Sequence, residues 1–375
     1  MPLVCLLTSS HPVEYSRFLY REALSLTRNG YRVTLVGLGR ERVEQVQGVK
    51  VVAIPERRFL QKHLVLRKVA QVALQELVDV YHCLDPWTLA IGLNIKKRRP
   101  GIRVIYESSE WFPQAFLDRD DLIYPLRWAG YQAIRRLEAR AAKEADGVIE
   151  TNQTRAQRFV ALGVEPVLVP NYPQLEMLPE PSMERKPWLV YTGLISKHRG
   201  FEKLLQALAL VAAQRPDVRL KTIGHFDPRD TIEWRSREFI RQTGITANIE
   251  FTGWLSYDRM FASLTPCLAG VVLLQPERGN DRTGLPNKLF EFMGSGLAVI
   301  ASNFPEMASV VNETKCGWLV DPTSPEQIAH AMFEVLNDPK EAIRRGLAGR
   351  QAVLDRFNWT RAEARLLELY RRLLP

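Results

Sequence analysis

The sequence predicts an α/β protein with two successive doubly wound parallel sheets, each covered by helices. Short apolar runs alternate with amphipathic segments along nearly all of the 375 residues, which is typical of parallel strands joined by helical crossovers. The alternation stops in the proline-rich stretch 172–187 and then starts again. Because a chain of this length exceeds one ordinary hydrophobic core, we expect two domains of similar size.

The first predicted domain covers residues 1–173. Its predicted strands are LVCLLTSS, YRVTLVGL, VKVVAIP, VDVYHCLD, IRVIYES, GVIETN and PVLVPN. Helical periodicity lies between them in YSRFLYREALSLTRNG, around WTLAIGLNIKKRR, and at about 124–145. Asn29 and Gly30 close the first of these helices, as a C-terminal glycine cap requires.

A proline-rich linker at 174–187 leads to the second predicted domain, 188–357. Its predicted strands are WLVYTGL, VRLKTIG, NIEFTGW, LAGVVLLQP and LAVIAS, and its first helix is GFEKLLQALALVAAQ. Before the last strand, Gly284 and Leu285 form the turn into a helix, with Pro286 in its first turn and Gly296 at its end. The chain closes with the helix AEARLLELYRRLL.

Composition and charge limit the class of protein. Lysine and arginine number 51 against 42 acids, a net charge of +9, which favours anionic partners such as phosphorylated small molecules, an anionic membrane or nucleic acid. Nucleic acid comes last, because the basic residues are dispersed and no recognition motif accompanies them. The four cysteines are far apart between apolar neighbours, which predicts buried strand positions and a reducing cytosol. The start resembles a first strand rather than a signal peptide, and no apolar run is long enough to span a bilayer.

The stretch RTGLPNKLFEFMGSGLAVIAS carries the strongest chemical signal. Lys288 and Glu291 are three residues apart near a helix start and share one face. The free amides of a helix start attract phosphate, and a nearby lysine adds charge. A carboxylate one turn deeper can accept hydrogen bonds from two vicinal ribose hydroxyls. The alternative is an ion pair on the helix surface.

Motifs along nearly the whole chain resemble the family 4 glycosyltransferases. The second half carries YTGLISKHRGFEKLLQA, IEFTGWLSYDRMFASL, GLPNKLFEFMGSGLAVIASNFPE, GWLVDPTSPEQIAHAM and RFNW, and the first half SRFLYREALSLTRNGYRVTLV, YHCLDPWTLAIGL, VIYESSEWFP and LVPNYP. The resemblance implies a GT-B fold, in which two Rossmann-like domains face a central cleft and a C-terminal helix, 358–375, completes the first domain. It also implies retaining transfer of a sugar from a nucleotide-sugar donor to a saccharide or lipid-linked acceptor, as in polysaccharide or glycolipid biosynthesis.

The resemblance assigns the donor to the second domain. Glu291 matches the family's ribose-binding glutamate, while Thr283 stands eight positions earlier, where the family has another glutamate. Leu194 replaces a diphosphate-binding arginine and Arg199 replaces a lysine, so Lys288 is expected to supply the missing cation. The alternative for Arg199 is a solvated loop residue. The remaining expected donor-binding residues are Gly193, Gly224, His225, Gly253, Gly284, Leu285, Asn287 and Leu289.

In the first domain, the segment YESSE aligns with a family motif that reads Tyr-Asp-x-His-Glu. Ser109 stands at the histidine position, and Glu110 is the candidate carboxylate at the cleft. The alternative for Glu107 and Glu110 is a solvated pair at a strand end.

Three further polar residues of the first domain lie at predicted strand ends or helix starts. His82 and Asp85 follow another strand, and Asp85 is equally suited to cap a helix. Arg17 falls where a helix start could bind an anion.

The resemblance also implies a mechanism, in which the departing diphosphate helps deprotonate the acceptor. The expected catalytic residues are therefore Glu110, Ser109, Lys288 and Arg199, without a protein nucleophile. No metal is expected, because the sequence has no ligand cluster with metal spacing. Rival hypotheses are an epimerase or hydrolase on the same architecture, and a nucleotide-binding partner subunit that has lost activity through Thr283, Leu194 and Ser109.

A basic segment raises the question of membrane binding. Residues 57–75, RRFLQKHLVLRKVAQVALQ, carry lysines and arginines but no acids, and apolar residues lie between them. This pattern suits a helix lying on an anionic membrane surface, as does the run KKRRP. A solvated face over a core helix explains it as well.

Overall fold

The computed structural model describes residues 1–57, 61–119, 121–228 and 230–374 and confirms the α/β class. The chain divides into two compact units. Unit 1 comprises Met1–Asn171 and Trp359–Pro375, and unit 2 comprises Tyr172–Asn358. Each unit contains one largely or wholly parallel sheet with helices packed against it. Within the described ranges, no helix has both the length and the apolar content needed to cross a membrane.

Unit 1 is built on an eight-stranded sheet. Its strands are β1 Leu3–Pro12, β2 Arg32–Leu38, β3 Arg42–Val46, β4 Val49–Ile54, β5 Val80–Cys83, β6 Arg103–Ser108, β7 Gly147–Glu150 and β8 Val167–Leu168. They lie in the order β3-β4-β2-β1-β5-β6-β7-β8. All pairings are parallel except that of β3 with β4, a hairpin that the sequence did not reveal because β3 has no buried residue.

The first helix of unit 1 starts as a π-helical turn, Arg17–Ala23, and continues as α1 Leu24–Arg28. The other helices before the linker are α2 Lys62–Gln75, α3 Pro86–Arg98, α4 Phe112–Leu117, α5 Tyr124–Glu144 and α6 Gln153–Val160. Gly30 follows α1 with φ +86°, the left-handed conformation that glycine adopts at little cost.

Unit 2 is built on a six-stranded parallel sheet. Its strands are β9 Trp188–Thr192, β10 Arg219–Ile223, β11 Ile249–Gly253, β12 Ala269–Val272, β13 Ala298–Ser302 and β14 Gly317–Val320, in the order β11-β10-β9-β12-β13-β14. Its α-helices are α7 Phe201–Ala212, α8 Ile232–Thr243, α9 Tyr257–Leu264, α10 Gly279–Arg282, α11 Asn287–Gly294, α12 Pro305–Thr314, α13 Pro325–Asn337 and α14 Pro339–Asp355. Pro286 precedes α11 instead of lying in its first turn, and Gly296 ends the helix with φ +71°.

The last helix, α15 Trp359–Leu373, belongs to unit 1 although it follows unit 2 in the chain. The indole nitrogen of Trp359 donates to the Ser25 hydroxyl at 2.9 Å. Leu366 and Tyr370 pack into the same hydrophobic cluster as β1 and β2. The C-terminal helix therefore completes the core of unit 1.

The stretch 174–187, which the sequence predicts to be a linker, packs on unit 2. Arg185 donates to the carbonyl oxygens of Thr265 at 2.7 Å and Cys267 at 3.0 Å. Leu178 contacts α11 so closely that a Cβ on Gly294 would lie 2.7 Å from its side chain. The prolines keep this segment irregular, but its polar and apolar contacts fix it to the unit that follows.

All four cysteines are buried and free. Cys5 and Cys83 lie in β1 and β5, as predicted. Cys267 and Cys316 instead lie just before β12 and β14. Burial alone, without strand geometry, explains their apolar neighbours in the sequence.

A buried group of charged and polar side chains lies beneath the carboxyl ends of β5 and β6 in unit 1. The Arg17 Nε donates to Glu107 Oε1 at 2.7 Å and lies 2.9 Å from Glu22 Oε1. His82 Nε2 lies 3.3 Å from Glu107 Oε2, and its Nδ1 is 3.0 Å from the Tyr370 hydroxyl. This group joins the first helix, two strands and α15.

The two carboxyl groups of this cluster differ in protonation. Burial, reinforced by the neighbouring Glu107, raises the pKa of Glu22 well above its ordinary value. Burial acts on Glu107 in the same direction, but Arg17 and His82 outweigh it and lower the pKa of Glu107 to about 2. We infer that Glu22 is neutral and that Glu107 is the counterion of Arg17.

We therefore predict opposite effects for two conservative substitutions. Glu107→Gln leaves the buried Arg17 guanidinium without its main counterion, which should lower the free energy of unfolding by about 3–5 kcal/mol. Glu22→Gln replaces a neutral carboxylic acid by an amide of similar shape and should cost about 1 kcal/mol or less. Urea unfolding of both variants at neutral pH measures the difference. Equal losses would contradict the assigned protonation states.

Candidate active site

Three neighbouring strands of unit 2 end in glycines with positive φ. Gly193 follows β9, Gly224 follows β10 and Gly253 ends β11, with φ values of 92°, 148° and 73°. The Gly224 amide donates to the Gly253 carbonyl at 2.9 Å, and a Cβ on Gly224 would lie 1.9 Å from the Gly193 oxygen. A Cβ therefore does not fit at Gly224, and the positive φ disfavours residues other than glycine at all three positions. The carboxyl edge of the sheet thus presents bare backbone, where ligands bind in sheets of this class.

Arg199 lies beside the first of these glycines. It ends a 3-10 turn, Lys197–Arg199, which Gly200 closes with φ 74°. A Cβ on Gly193 would lie 3.4 Å from Arg199 Nη1. The turn therefore brings a guanidinium to the exposed backbone after β9. Leu194, at the position of the family's arginine, is held by its backbone, since its carbonyl accepts from the Tyr191 hydroxyl at 2.7 Å.

Lys288 reaches the same place from α11. Its Nζ donates to the carbonyl oxygen of Thr192, the last residue of β9, at 2.6 Å. It also lies 4.2 Å from the centroid of the Tyr191 ring, within the range of a cation–π contact. The side chain is only 7% exposed. Lys288 and Arg199 thus converge on the residues around Gly193, which the sequence spacing alone could not establish.

The pKa of Lys288 is well below the ordinary lysine value. Burial is the main cause, the positive charge of Arg199 adds to it, and Glu291 opposes both. An anion bound beside the two cations would reverse the effect of Arg199 and favour the charged form of Lys288. The arrangement is suited to a ligand that carries at least one negative charge.

Glu291 lies one turn beyond Lys288 on α11 and is 8% exposed. One of its carboxylate oxygens accepts a hydrogen bond from the hydroxyl of Tyr257, the first residue of α9. The sequence hypotheses did not include Tyr257. The available signal was its place at the start of a helix four residues after Gly253. Glu291 does not form the surface ion pair with Lys288 that was the alternative, because both side chains are buried and contact other groups.

Thr283, where the family has its other glutamate, has a local structural contact. It follows α10, and its hydroxyl donates to the carbonyl oxygen of Gly279 at 3.1 Å. A threonine reaches only the preceding turn from this position, whereas a glutamate would extend further.

The other predicted donor-binding residues differ in how far they are exposed to solvent. Gly284 is buried, and Leu285 and Asn287 are partly exposed before and at the start of α11. Leu289 is fully buried in the hydrophobic core, so only its backbone is available. His225 has an exposed side chain, and its carbonyl accepts from the Ile195 amide at 2.8 Å. Trp254, which follows Gly253, is 73% exposed.

Unit 1 presents a smaller polar group after β6. Glu110 is about half exposed, and its Oε1 lies 3.6 Å from Nε2 of His11 near the end of β1. The His11 ring packs between Tyr15 and Phe18, at centroid distances of 4.8 Å and 5.3 Å. Ser109 has a buried hydroxyl. Sequence analysis missed His11, although its position after the first strand was a signal.

Four other residues considered from the sequence are structural. Arg17, His82 and Glu107 are buried in the cluster beneath β5 and β6, so Arg17 is not an anion site at a helix start and Glu107 is not a solvated loop residue. Asp85 caps α3, accepting from the Thr88 amide at 2.9 Å, and it also accepts from the Ser9 amide at 2.6 Å. The capping alternative for Asp85 is therefore confirmed.

Within the described residues, Glu22, His82 and Glu107 form a set of potential metal ligands, with ligand atoms within 4.8 Å of one another. The residues are far apart in sequence, so motif spacing could not reveal them. Arg17 already supplies the cation of this cluster, through contacts of 2.7 Å and 2.9 Å to the two carboxyl groups. The donor set fits a guanidinium better than an added metal ion.

Two family models match the chain. The model described as glycosyl transferases group 1 matches residues 177–352, and the model described as glycosyl transferase 4-like domain matches residues 15–172. Each model falls almost entirely on one unit, and together they account for most of the sequence.

Curated relatives are distant. A GDP-mannose-dependent alpha-(1-6)-phosphatidylinositol monomannoside mannosyltransferase of Mycobacterium tuberculosis is 26% identical over 50% of this chain. The chain spans about half of that relative's length, 48%. Spore coat protein SA of Bacillus subtilis is 23% identical to this chain, and the match covers 80% of this chain and 86% of the length of that protein.

Solved structures with the same fold cover the whole chain. Sucrose-phosphate synthase from Thermosynechococcus elongatus matches with a TM-score of 0.80 at 18% identity, covering 100% of this chain and 99% of its own. HepE of Anabaena, in complex with UDP, matches with a TM-score of 0.75 at 14% identity over 99% of this chain and 100% of its own. The family models and this shared fold identify the protein as a member of the group 1 glycosyltransferases of the GT-B fold.

Proposed function

We propose that the protein is a retaining hexosyltransferase that moves a sugar from a nucleotide-diphosphate sugar to a saccharide or lipid-linked acceptor. The observation that carries the proposal is the convergence of Lys288 and Arg199 beside the backbone of Gly193, one helical turn from Glu291. Two cations next to bare backbone suit a diphosphate, and a carboxylate at that distance suits a ribose. We therefore propose that unit 2 binds the donor.

In this proposal each group has a distinct task. Arg199 and Lys288 neutralise the charge that grows on the diphosphate as the sugar leaves. Glu291 accepts hydrogen bonds from the ribose hydroxyls, and Tyr257 holds its carboxylate in place. Lys288 and Glu291 both lie on α11, whose residues 288–294 are buried. This one helix would therefore position both the phosphates and the ribose. Thr283 leaves the donor sugar with fewer side-chain contacts than the paired glutamate provides in the family.

Retention follows from the family's mode of transfer, in which the acceptor attacks from the side of the departing diphosphate. The diphosphate then helps to remove the acceptor proton, so the protein's contribution is charge stabilisation and alignment. We propose that unit 1 binds the acceptor and that Glu110 and His11 contact it. We also propose that transfer needs no metal, since Arg199 and Lys288 would stabilise the charge of the diphosphate.

The proposal does not select the base or the sugar of the donor, because similar proteins bind or depend on different nucleotide sugars. One relative is named as dependent on GDP-mannose, and HepE has been solved with UDP and UDP-glucose. We propose polysaccharide or glycolipid biosynthesis as the setting, in the cytoplasm at the inner face of the membrane. Helix α2 does not itself favour membrane binding, because Val65, Val69 and Ala73 of its apolar stripe are buried in the core. Residues 58–60 of that segment lie outside the described residues.

The first test separates an active transferase from a partner subunit that only binds nucleotide. A thermal-shift screen of UDP-, GDP- and ADP-sugars should identify one donor class, because a ligand that binds only the folded state raises the melting temperature. Donor hydrolysis and transfer are then measured for Glu291→Ala, with Glu313→Ala, an exposed glutamate of unit 2, as the matched control. We expect an activity loss of about tenfold or more for Glu291→Ala and none for the control. A parent that binds a donor but neither hydrolyses nor transfers it would favour the partner subunit.

The lowered pKa of Lys288 predicts that donor binding takes up a proton at pH values above the pKa of Lys288 in the free protein. A bound diphosphate raises the Lys288 pKa, so affinity should be constant below the free-state pKa and weaken as pH rises above it. Titration calorimetry with a nucleotide sugar in buffers of different ionisation enthalpy measures the uptake directly. Lys288→Met should abolish it and weaken binding about tenfold or more, whereas Lys340→Met on the surface should change neither. Uptake that persists in Lys288→Met would assign the proton to another group.

The geometry of unit 1 predicts that His11 provides the imidazole that the family has at the position of Ser109. His11→Asn should lower the transfer rate about a hundredfold or more while leaving donor affinity unchanged. The double variant His11→Asn with Ser109→His should recover a substantial part of the rate. Transfer at the parent's rate in His11→Asn would rule out this role.

A further inference from the structure

The start of α5 exposes an unusual group of large apolar side chains. Ile123, Tyr124, Leu126 and Trp128 are 66%, 61%, 56% and 50% exposed. They follow one another within six residues of unit 1. Single exposed apolar residues are common, but a contiguous group of this kind marks an interaction surface.

Close to these exposed side chains, α5 packs against α4. Gly130 allows this contact, since a Cβ there would lie 2.0 Å from the Phe116 ring. The residues that α5 buries all lie at or beyond the midpoint of the helix, and they are Ile134, Glu138, Ala141 and Ala142. The apolar residues at its start are therefore directed away from the core of unit 1.

The exposed face that continues along α5 is basic. Arg135, Arg136, Arg140 and Lys143 are exposed. Of the two acids of the helix, Glu138 is buried and accepts a hydrogen bond from the Tyr106 hydroxyl at 2.6 Å. The other, Glu144, is its last residue and lies 3.1 Å from Lys97. From Tyr124 to Lys143, then, no acid interrupts the exposed face.

We propose that this surface, Ile123–Trp128 with the basic residues that follow on α5, binds a lipid bilayer containing anionic lipids. Tyrosine and tryptophan suit the boundary between headgroups and acyl chains, and arginines suit the lipid phosphates. A second copy of the chain fits less well, because a twofold contact would bring two sets of basic residues together. The inference deepens the proposed function and rests on it, since a lipid-linked acceptor requires the enzyme at a membrane. It places the contact on α5, whereas the sequence suggested α2.

The test uses the full-length protein and sedimentation with vesicles of phosphatidylcholine alone or with phosphatidylglycerol. We expect binding to the anionic vesicles only, with at least a fivefold loss at high salt. Leu126→Ser with Trp128→Ser, and separately Arg135→Gln with Arg136→Gln, should each lower binding at least fivefold. The matched controls are Trp234→Ser, which removes a tryptophan that is 72% exposed on unit 2, and Arg241→Gln on α8, and both should bind like the parent.

Donor hydrolysis, measured without vesicles, separates this proposal from the proposed function. Variants that retain hydrolysis but lose vesicle binding support the membrane surface. A parent that does not bind anionic vesicles, or α5 variants that bind them like the parent, would overturn it. Loss of self-association in the α5 variants, measured by analytical ultracentrifugation together with unchanged vesicle binding, would assign the surface to a second copy instead.

Discussion

The burial of the Lys288 side-chain nitrogen at the end of β9 is the constraint on which the candidate site of unit 2 depends. Burying a cation is unfavourable unless nearby groups replace its hydration. A carbonyl of β9 and the ring of Tyr191 replace part of it, and the low pKa of Lys288 shows that the replacement is incomplete. The strand end must stay free of side chains for this lysine and its ligand to meet, which explains the glycine after β9. The site is thus organised for an anion before any ligand arrives.

Unit 1 also buries a cationic side chain, but a carboxylate neutralises it. Its buried cation, Arg17, has a full counterion in Glu107. The neutral carboxylic acid of Glu22 and the contact between His82 and Glu107 complete the group. A charge satisfied in this way stabilises the fold and has no need of a ligand. The contrast explains why two buried cations of one chain have different tasks. Function is expected where the protein leaves a charge incompletely neutralised, and structure where it does not.

The sequence predicted the fold well, because apolar runs and glycine caps report local structure directly. It also predicted that Lys288 and Glu291 share a helical face, since their spacing is a local property. It failed where contacts depend on distant residues. Arg17, His82 and Glu107 looked like candidates for a site because each lies at a strand end or a helix start, yet packing brings them together and buries them. The partnership of Tyr257 with Glu291 and that of His11 with Glu110 were missed for the same reason.

The place of α15 has a consequence for biosynthesis. Unit 1 needs Trp359, Leu366 and Tyr370 for its core, but these residues leave the ribosome only after all of unit 2. During translation, the sheet of unit 1 therefore keeps part of its apolar surface uncovered until α15 has been made. Unit 2 can fold before that point. The order in which the two units mature is the reverse of the order in which they begin. Any delay in translation within unit 2 would prolong the exposure of unit 1, the half that carries the apolar surface of α5.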